Sequence, residues 1–294
     1  MKRCVKCHSH FVDADWRCDV CGHSPELSNG LLLFAPDSAW SSEDFDPRAF
    51  VDLAARENGS FWFRSRKQLI VRKLQDLFSG MSKFLEVGCG SGYVLSAVAE
   101  AFPAAKLAGS DMFAEGLAFA RSRVPSSFLF QADSRHLPFD EEFDVIGAFD
   151  LLEHVTDDTG LLGEMFRATR PGGGIVLTVP QHPFLWSEAD RFARHKRRYR
   201  RRELVQKVEA VGFEVIDQTS FVSLLLPLLA AARIYSRLRR GRFDPWAELE
   251  LPAPIDRILE SIMRLELAMI RRSIVFPMGG SLLVAARKPE AGPA

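Results

Sequence analysis

Four of the five cysteines fall within the first 21 residues, as Cys4-x-x-Cys7 and Cys18-x-x-Cys21. Two such pairs, ten residues apart, have the spacing by which four thiolates surround a tetrahedral zinc ion. Such a site is structural, because no coordination position stays open. Disulfides are the other use for four cysteines, but a long chain whose start lacks a secretory pattern argues for metal. Further along, Gly88, Gly90 and Gly92 separate an apolar run from a helical one, with Glu86 two positions before the first glycine. Glycines in such a turn let a ligand approach the backbone, since no Cβ intervenes. The spacing is not that of a dinucleotide fold, which would want a third glycine where Tyr93 stands, and no Lys-Ser/Thr follows to hold a nucleotide phosphate. A carboxylate at Glu86 would repel a pyrophosphate and accommodate a cation. Asp111 and Asp133 then close two successive apolar runs, and Asp150, Glu153 and His154 follow a third.

These residues need a scaffold, and the hydrophobic pattern supplies one. Apolar strands are expected at Lys83–Val87, Lys106–Gly109, Ser127–Phe130, Phe143–Phe149 and Ile175–Val179, the last after a turn at Pro171-Gly172-Gly173-Gly174. Helices over Tyr93–Phe102, Phe113–Arg123 and Asp157–Thr169 alternate with them, which predicts an open, doubly wound α/β domain with a mostly parallel sheet. A strand at Phe213–Ile216 and a last one at Ser281–Ala286 extend it. The chain divides into a cysteine module (1–35), a connector with helices (36–80) and the α/β domain (81–294). Within that domain, an apolar and helical insertion at about 221–272 interrupts the alternation. In its amphipathic helix Ile255, Ile258, Leu259, Ile262, Leu265, Met269 and Ile270 share one face.

Composition sets outer limits. The 294 residues are 47% hydrophobic and 26% charged, too apolar for a disordered chain and enough for a large core. Lys+Arg and Asp+Glu both number 38, but Arg191–Arg242 alone holds 14 basic against 4 acidic residues. One basic region on a neutral protein is the outcome. The longest uncharged stretches, Gln218–Ala232 and Ser273–Ala286, are 15 and 14 residues. Both are too short to span a membrane, so a cytoplasmic protein is expected.

Taken in order, LEVGCGSGYVL, GSDMF, QADSRHLPF, FDVIGAFDLLEHV and RPGGGIVLTVP resemble the segments of class I S-adenosylmethionine-dependent methyltransferases, over roughly residues 60–220 with the last strand rejoining near 281. That resemblance implies a seven-stranded Rossmann-like sheet. It implies a cofactor held by Glu86, Gly88, Gly90, Gly92, Asp111, Met112, Asp133, Ser134 and Asp150, with Asp111 on the ribose hydroxyls and Asp133 on the adenine amino group. Asp150-x-x-Glu153-His154 is similar to a segment of ubiquinone-biosynthesis O-methyltransferases associated with a divalent cation, which nominates those three residues; capping of the next helix is the plainer use of Glu153 and His154. The His195-x-Arg197-Arg198-Tyr199 run resembles a segment near the acceptor site in a subset of these enzymes.

On this reading His154, His195 and Tyr199 are the candidate catalytic groups. His182, Trp186, Arg197 and Arg198 are candidates for the acceptor, the arginines gripping a phosphate or carboxylate. The expected reaction is O-methylation of a small or lipid-like, anionic acceptor. Residues 221–242, apolar then basic, suggest peripheral contact with the inner membrane face; a lid over the acceptor pocket or a homodimer contact would use the same residues. The cysteine module resembles a zinc ribbon, and ribbons also precede some ribosomal-RNA guanine methyltransferases. An RNA methyltransferase is therefore the competing reading, and a non-catalytic ribbon adaptor a third.

Overall fold

The computed structural model describes residues 1–37, 46–238, 244, 246–247 and 249–290. The chain opens with two hairpins, β1 (Lys2–Arg3) with β2 (His10–Phe11) and β3 (Glu26–Ser28) with β4 (Leu31–Leu33). Helices α1 (Ala49–Arg56) and α2 (Phe61–Leu77) follow. The alternating part then runs β5 (Lys83–Val87), α3 (Tyr93–Ala101), β6 (Lys106–Asp111), α4 (Ala114–Arg123), β7 (Phe128–Gln131), β8 (Phe143–Phe149), α5 (Asp158–Ala168) and β9 (Thr169–Pro180). It closes with α6 (Glu188–Phe192), α7 (Arg201–Ala210), β10 (Glu214–Phe221), α8 (Leu226–Leu238), α9 (Ala253–Arg271) and β11 (Ser281–Arg287).

Strands β3 to β11 form one sheet in the order β10-β11-β9-β8-β5-β6-β7-β4-β3. Neighbours from β9 to β4 are parallel, whereas β11 is antiparallel to both β9 and β10. The seven expected strands are therefore present, and two strands of the cysteine module extend them beyond β7. Alternate residues feed two cores, one on each face. Leu85, Val87, Ile146 and Leu177 pack with α5, α7 and the module's Phe11 and Trp16. Phe84, Val145, Val176 and Leu283 pack with α2, α3, α4 and α9.

One expectation changes. The Pro171–Gly174 segment is not a turn ahead of a strand but part of β9, in a bulge: Phe143 pairs with Thr169 and Val145 already with Gly174. The strand survives its proline and glycines because Gly174 also pairs with Arg287 of β11. In α9 the apolar face is divided: Leu259, Ile262 and Ile270 pack on the core, whereas Ile258 and Leu265 are 61% and 59% exposed. Polar residues also dock this helix. Asp256 accepts from the Phe61 N–H at 2.7 Å and so caps α2 from 195 residues away. Glu266 accepts from the Ser223 and Leu224 N–H groups at 2.8 Å and fixes the segment leading into α8. Arg239, Arg240 and Arg242 of the basic run lie outside the described residues.

The module is joined to the domain by an aromatic cluster. Trp16 stacks on Phe128 (5.6 Å between ring centres) and meets Phe34 and Phe139 edge-on at 5.0 and 5.5 Å. Trp16→Ala should lower stability by about 3–5 kcal/mol, the range for emptying a buried aromatic site. Urea unfolding followed at the module and at the domain checks this, and an unchanged midpoint at both would show that the contact carries no load.

Candidate active site

Ligands of open α/β sheets bind beyond the carboxyl ends of the strands, and a cavity of about 340 Å³ lies there, at the ends of β5, β6, β7 and β8 under α1 and α2. A larger groove of about 670 Å³ between α2, α3 and α9 holds none of the motif residues. The turn after β5 forms the cavity floor. Gly88, Gly90 and Gly92 have φ of 71°, 50° and 74°, a region that side-chain-bearing residues avoid. At Gly92 a Cβ would also stand 2.8 Å from Ala120, so glycine lets α3 and α4 close on each other.

Asp111 ends β6 in the cavity wall and organises this loop. Its carboxylate accepts from the Gly90 N–H and the Phe113 N–H, both at 2.9 Å. Burial pushes its pKa up to about 6 against the pull of these amides. Glu86 lies deeper: burial, reinforced by Asp111 and Glu57, raises it to about 8, although Arg66 opposes the shift. Its Oε2 is buried without a hydrogen-bond partner. A buried carboxyl with one unpartnered oxygen beside a bare-backbone cradle fits a cationic sulfonium nucleoside. Met112 and Ser134 also line the cavity. Asp133 does not; both its oxygens bind the Arg135 guanidinium, at 3.0 to 3.1 Å from Nε and 2.6 Å from the terminal nitrogen.

Several cavity residues carry no motif and escape a sequence reading. Arg66 of α2 is buried against the Trp62 ring, 4.8 Å from its centre, and is ion-paired with Asp150. Glu57 accepts from the Ser91 hydroxyl at 2.5 Å and from Arg123 at 2.6 Å, which ties the end of α1 to the glycine loop. Both look in sequence like ordinary charges on helices. Their only signal is the aromatic cluster Phe61-Trp62-Phe63 beside them.

At the other end of the cavity stand His154 and His195, their ring centres 4.8 Å apart. Glu153, which is 0% exposed, lies behind them. Both Glu153 oxygens are buried without a hydrogen-bond partner, and Oε1 is 4.0 Å from His195 Nε2. Burial pushes this carboxyl well above the usual range, and Asp150 adds to the effect. Burial and the neighbouring His195 hold His154 down to about 3, so it is neutral. His195 Nδ1 is 2.9 Å from Asp190, which also accepts from Arg198 Nε at 2.7 Å. Despite its burial, those two partners keep Asp190 well below the usual carboxylate range. Glu153, His154 and His195 have ligating atoms within 4.8 Å of one another. Asp150 is not in that group, since it faces Arg66 and Thr178; His195 stands where the sequence motif placed Asp150.

The rest of the run after His195 is engaged in structure. Tyr199 is fully buried and donates to Asp158 at 2.7 Å, which also receives Arg197 at 2.9 Å and Lys207 at 2.6 Å. Arg198 is spent on Asp190 and the Gln181 carbonyl. His182 lies against Phe184, and neither it nor Trp186 is part of the cavity wall.

In the N-terminal module the four cysteine sulfurs lie within 4.8 Å of one another, with Cys4–Cys21 and Cys7–Cys18 each at 3.6 Å. A tetrahedral four-thiolate ion needs sulfurs about 3.8 Å apart, given metal–sulfur bonds of about 2.3 Å. The cluster fits that requirement.

This sheet order and cavity define a class I S-adenosylmethionine-dependent methyltransferase domain. The methyltransferase domain family matches residues 60–218, and the chain belongs to it. It is 32% identical over 168 residues to a probable S-adenosylmethionine-dependent methyltransferase of Mycolicibacterium smegmatis, covering 55% of this chain and 62% of that one. It is also 32% identical over 110 residues to a ubiquinone biosynthesis O-methyltransferase of Pseudomonas fluorescens, covering 34% and 46%. The chain thus spans less than two thirds of either relative. Among solved structures, a chain from the Haloferax volcanii complex containing the Trm112 methyltransferase activator aligns with a TM-score of 0.57 at 19% identity, covering 86% of this chain and 100% of that chain.

The raised pKa of Glu86 has a measurable sign. The folded, cofactor-free protein holds a proton that the unfolded chain loses near 4.5, so its stability should fall as pH rises from there to about 8. A cationic cofactor favours the carboxylate, so binding near neutral pH should release this proton. Calorimetry in buffers of different ionisation enthalpy should detect the release in the native chain and lose it in Glu86→Gln. Equal release in both proteins would place the titrating group elsewhere.

Proposed function

We propose that this protein transfers the methyl group of S-adenosylmethionine to an oxygen of a small or lipid-like acceptor, with His195 as general base. The observation that carries this reading is the Asp190–His195 pair. Asp190, itself held by Arg198, takes the Nδ1 side of the ring, so Nε2 is the nitrogen left to receive a proton on a residue that lines the cavity. An acceptor hydroxyl there would pass its proton to Nε2 as its oxygen attacks the methyl carbon, and the sulfonium would leave as a neutral thioether. Alignment of oxygen, methyl and sulfur supplies most of the acceleration, and the base removes the one proton that must go. An anionic group on the acceptor would meet Arg194 and Lys196, exposed on either side of His195, rather than Arg197 and Arg198. The cysteine cluster takes zinc as a structural ion.

A second reading of the same corner is favoured by the two unpartnered oxygens of Glu153. Two imidazoles and a carboxylate are a common ligand set for a divalent cation, and a carboxylate on the far nitrogen of a ligating histidine is the usual support. Such an ion would polarise the acceptor oxygen. His195 Nε2 cannot be base and ligand at once, so the two readings are exclusive.

The surface suggests where the acceptor comes from. Leu224 and Leu228 near and on α8, with Ile274, Val275 and Met278 after α9, are exposed large apolar residues, and Arg271 and Arg272 lie beside them in sequence. Among the described residues no helix is long and apolar enough to cross a membrane. An apolar patch with basic flanks can still rest in an anionic interface.

The deciding experiment incubates the protein and methyl-labelled S-adenosylmethionine with cell extract separated into RNA, protein, aqueous and organic-soluble fractions. Label is expected in the organic-soluble fraction. It should be lost with Asp111→Ala, whose cofactor affinity falls about ten- to a hundredfold. His195→Ala should lower turnover about 10²–10⁴-fold and leave cofactor affinity in place. Label in RNA would overturn the acceptor class, and absence of cofactor binding would revive the adaptor reading. Full activity after exhaustive chelation at the histidine corner excludes the cation, whereas restoration by added magnesium or manganese excludes the free base.

Flotation with liposomes should show binding to anionic vesicles that weakens as salt rises. Equal recovery with neutral vesicles at every salt concentration would sink the membrane contact.

A further inference from the structure

The cysteine module and the cofactor cavity meet at one side chain. Strand β4 lies parallel to β7, with Leu32 opposite Phe130 and Leu33 opposite Gln131. The Phe34 N–H donates to the Gln131 carbonyl at 2.9 Å. Past the strand end, the Gln131 side chain continues the pairing. Its Oε1 accepts from the Ala35 N–H at 3.0 Å, and its Nε2 donates to the Ala35 carbonyl at 2.9 Å and to the Met112 carbonyl at 3.1 Å. Gln131 is only 5% exposed, so water offers no easy substitute for these partners. Met112 lines the cavity directly after Asp111.

The loop that leaves Gln131 is tied to the module again at its far end. It carries the cavity residues Ala132 and Ser134. Arg3 N–H then donates to the Pro138 carbonyl at 3.0 Å, Lys2 bridges to Phe139, and Asp140 N–H donates to the Met1 carbonyl at 2.8 Å. One wall of the cavity is therefore tied to the cysteine module at both ends, in addition to its bonds to Asp111, Glu164 and Arg167 of the domain. The module has little regular structure of its own, only strands of two or three residues around the four thiols. A unit so small depends on its metal to hold shape.

We propose that Gln131 is a positioning residue through which the metal-loaded cysteine module shapes the S-adenosylmethionine pocket, so that occupancy of the Cys4/Cys7/Cys18/Cys21 site sets cofactor affinity. This rests on the reading of the cavity as the cofactor pocket. Gln131 itself is not part of the cavity wall; it acts by holding Met112 from one side and the module strand from the other. Without metal, β4 and Ala35 lose their fixed place, the Gln131 amide loses two of its partners, and the loop carrying Ala132 and Ser134 keeps only its bonds to the domain.

The test measures S-adenosylmethionine binding by calorimetry on the full chain, with zinc content and thermal midpoint determined on the same samples. Zinc-loaded native protein should bind, chelated protein should bind at least about tenfold more weakly, and added zinc should restore the affinity. Gln131→Met keeps the side-chain length and removes the amide. It should retain its zinc and a near-native midpoint yet bind about tenfold more weakly, the order expected for a lost buried hydrogen bond. Hydrogen exchange in this variant should quicken over residues 132–139 and stay unchanged in the module. Native affinity in Gln131→Met, or in chelated protein that remains folded, would overturn the proposal. If chelation unfolds the chain, the Gln131→Met result decides alone. Failure of the zinc-loaded native protein to bind would instead remove the reading of the cavity.

Discussion

Buried negative charge around one small cavity is the constraint that the rest of this structure answers. Glu86, Asp111 and Asp150 line it, and Glu153 sits behind it with no exposed surface. Carboxylates this close cannot all ionise in a low-dielectric setting without partners. Asp111 is satisfied by loop amides, and Asp150 by Arg66. Glu86 and Glu153 keep oxygens without hydrogen-bond partners. On the proposed function, each of these two stands near where a positive charge would arrive: the sulfonium for Glu86, and the imidazolium or a cation for Glu153.

That arrangement explains why α1 and α2 belong to the site. They bring Glu57, Trp62, Phe63 and Arg66 over the strand ends, and α9 holds them there by capping α2 with Asp256 and pairing with Arg64. Asp256 and Glu266 share the inner face of α9 with Met263 and Ile270, while Ile255, Ile258 and Leu265 stay exposed.

At the other edge of the sheet, β7 would present open backbone groups to solvent, a hazard for any sheet. The cysteine module covers it with β4 and β3. Four-thiol cluster, sheet edge and cavity wall thereby become one continuous structure, although the module precedes the methyltransferase motifs by about fifty residues in the chain.

Much of this was legible in order along the chain. Local patterns decided it: alternating apolar runs placed β5, β6, β7 and β8 within a residue or two, glycines marked the loop that only positive φ allows, and paired cysteines marked the four-thiol cluster. Asp111 could be assigned to the cavity because a strand end fixes where its last side chain points. Tertiary structure alone decided the partners. Arg197, Arg198 and Tyr199 look like an acceptor site in sequence, but Asp158 and Asp190 claim them. His195 joins Glu153 and His154 from forty residues away. Asp256 caps a helix on the far side of the chain. The difference is physical: periodicity and backbone geometry depend on near neighbours, whereas the partner of a buried charge is chosen by whichever opposite charge or amide the packed fold brings within 3 Å, about the length of a hydrogen bond.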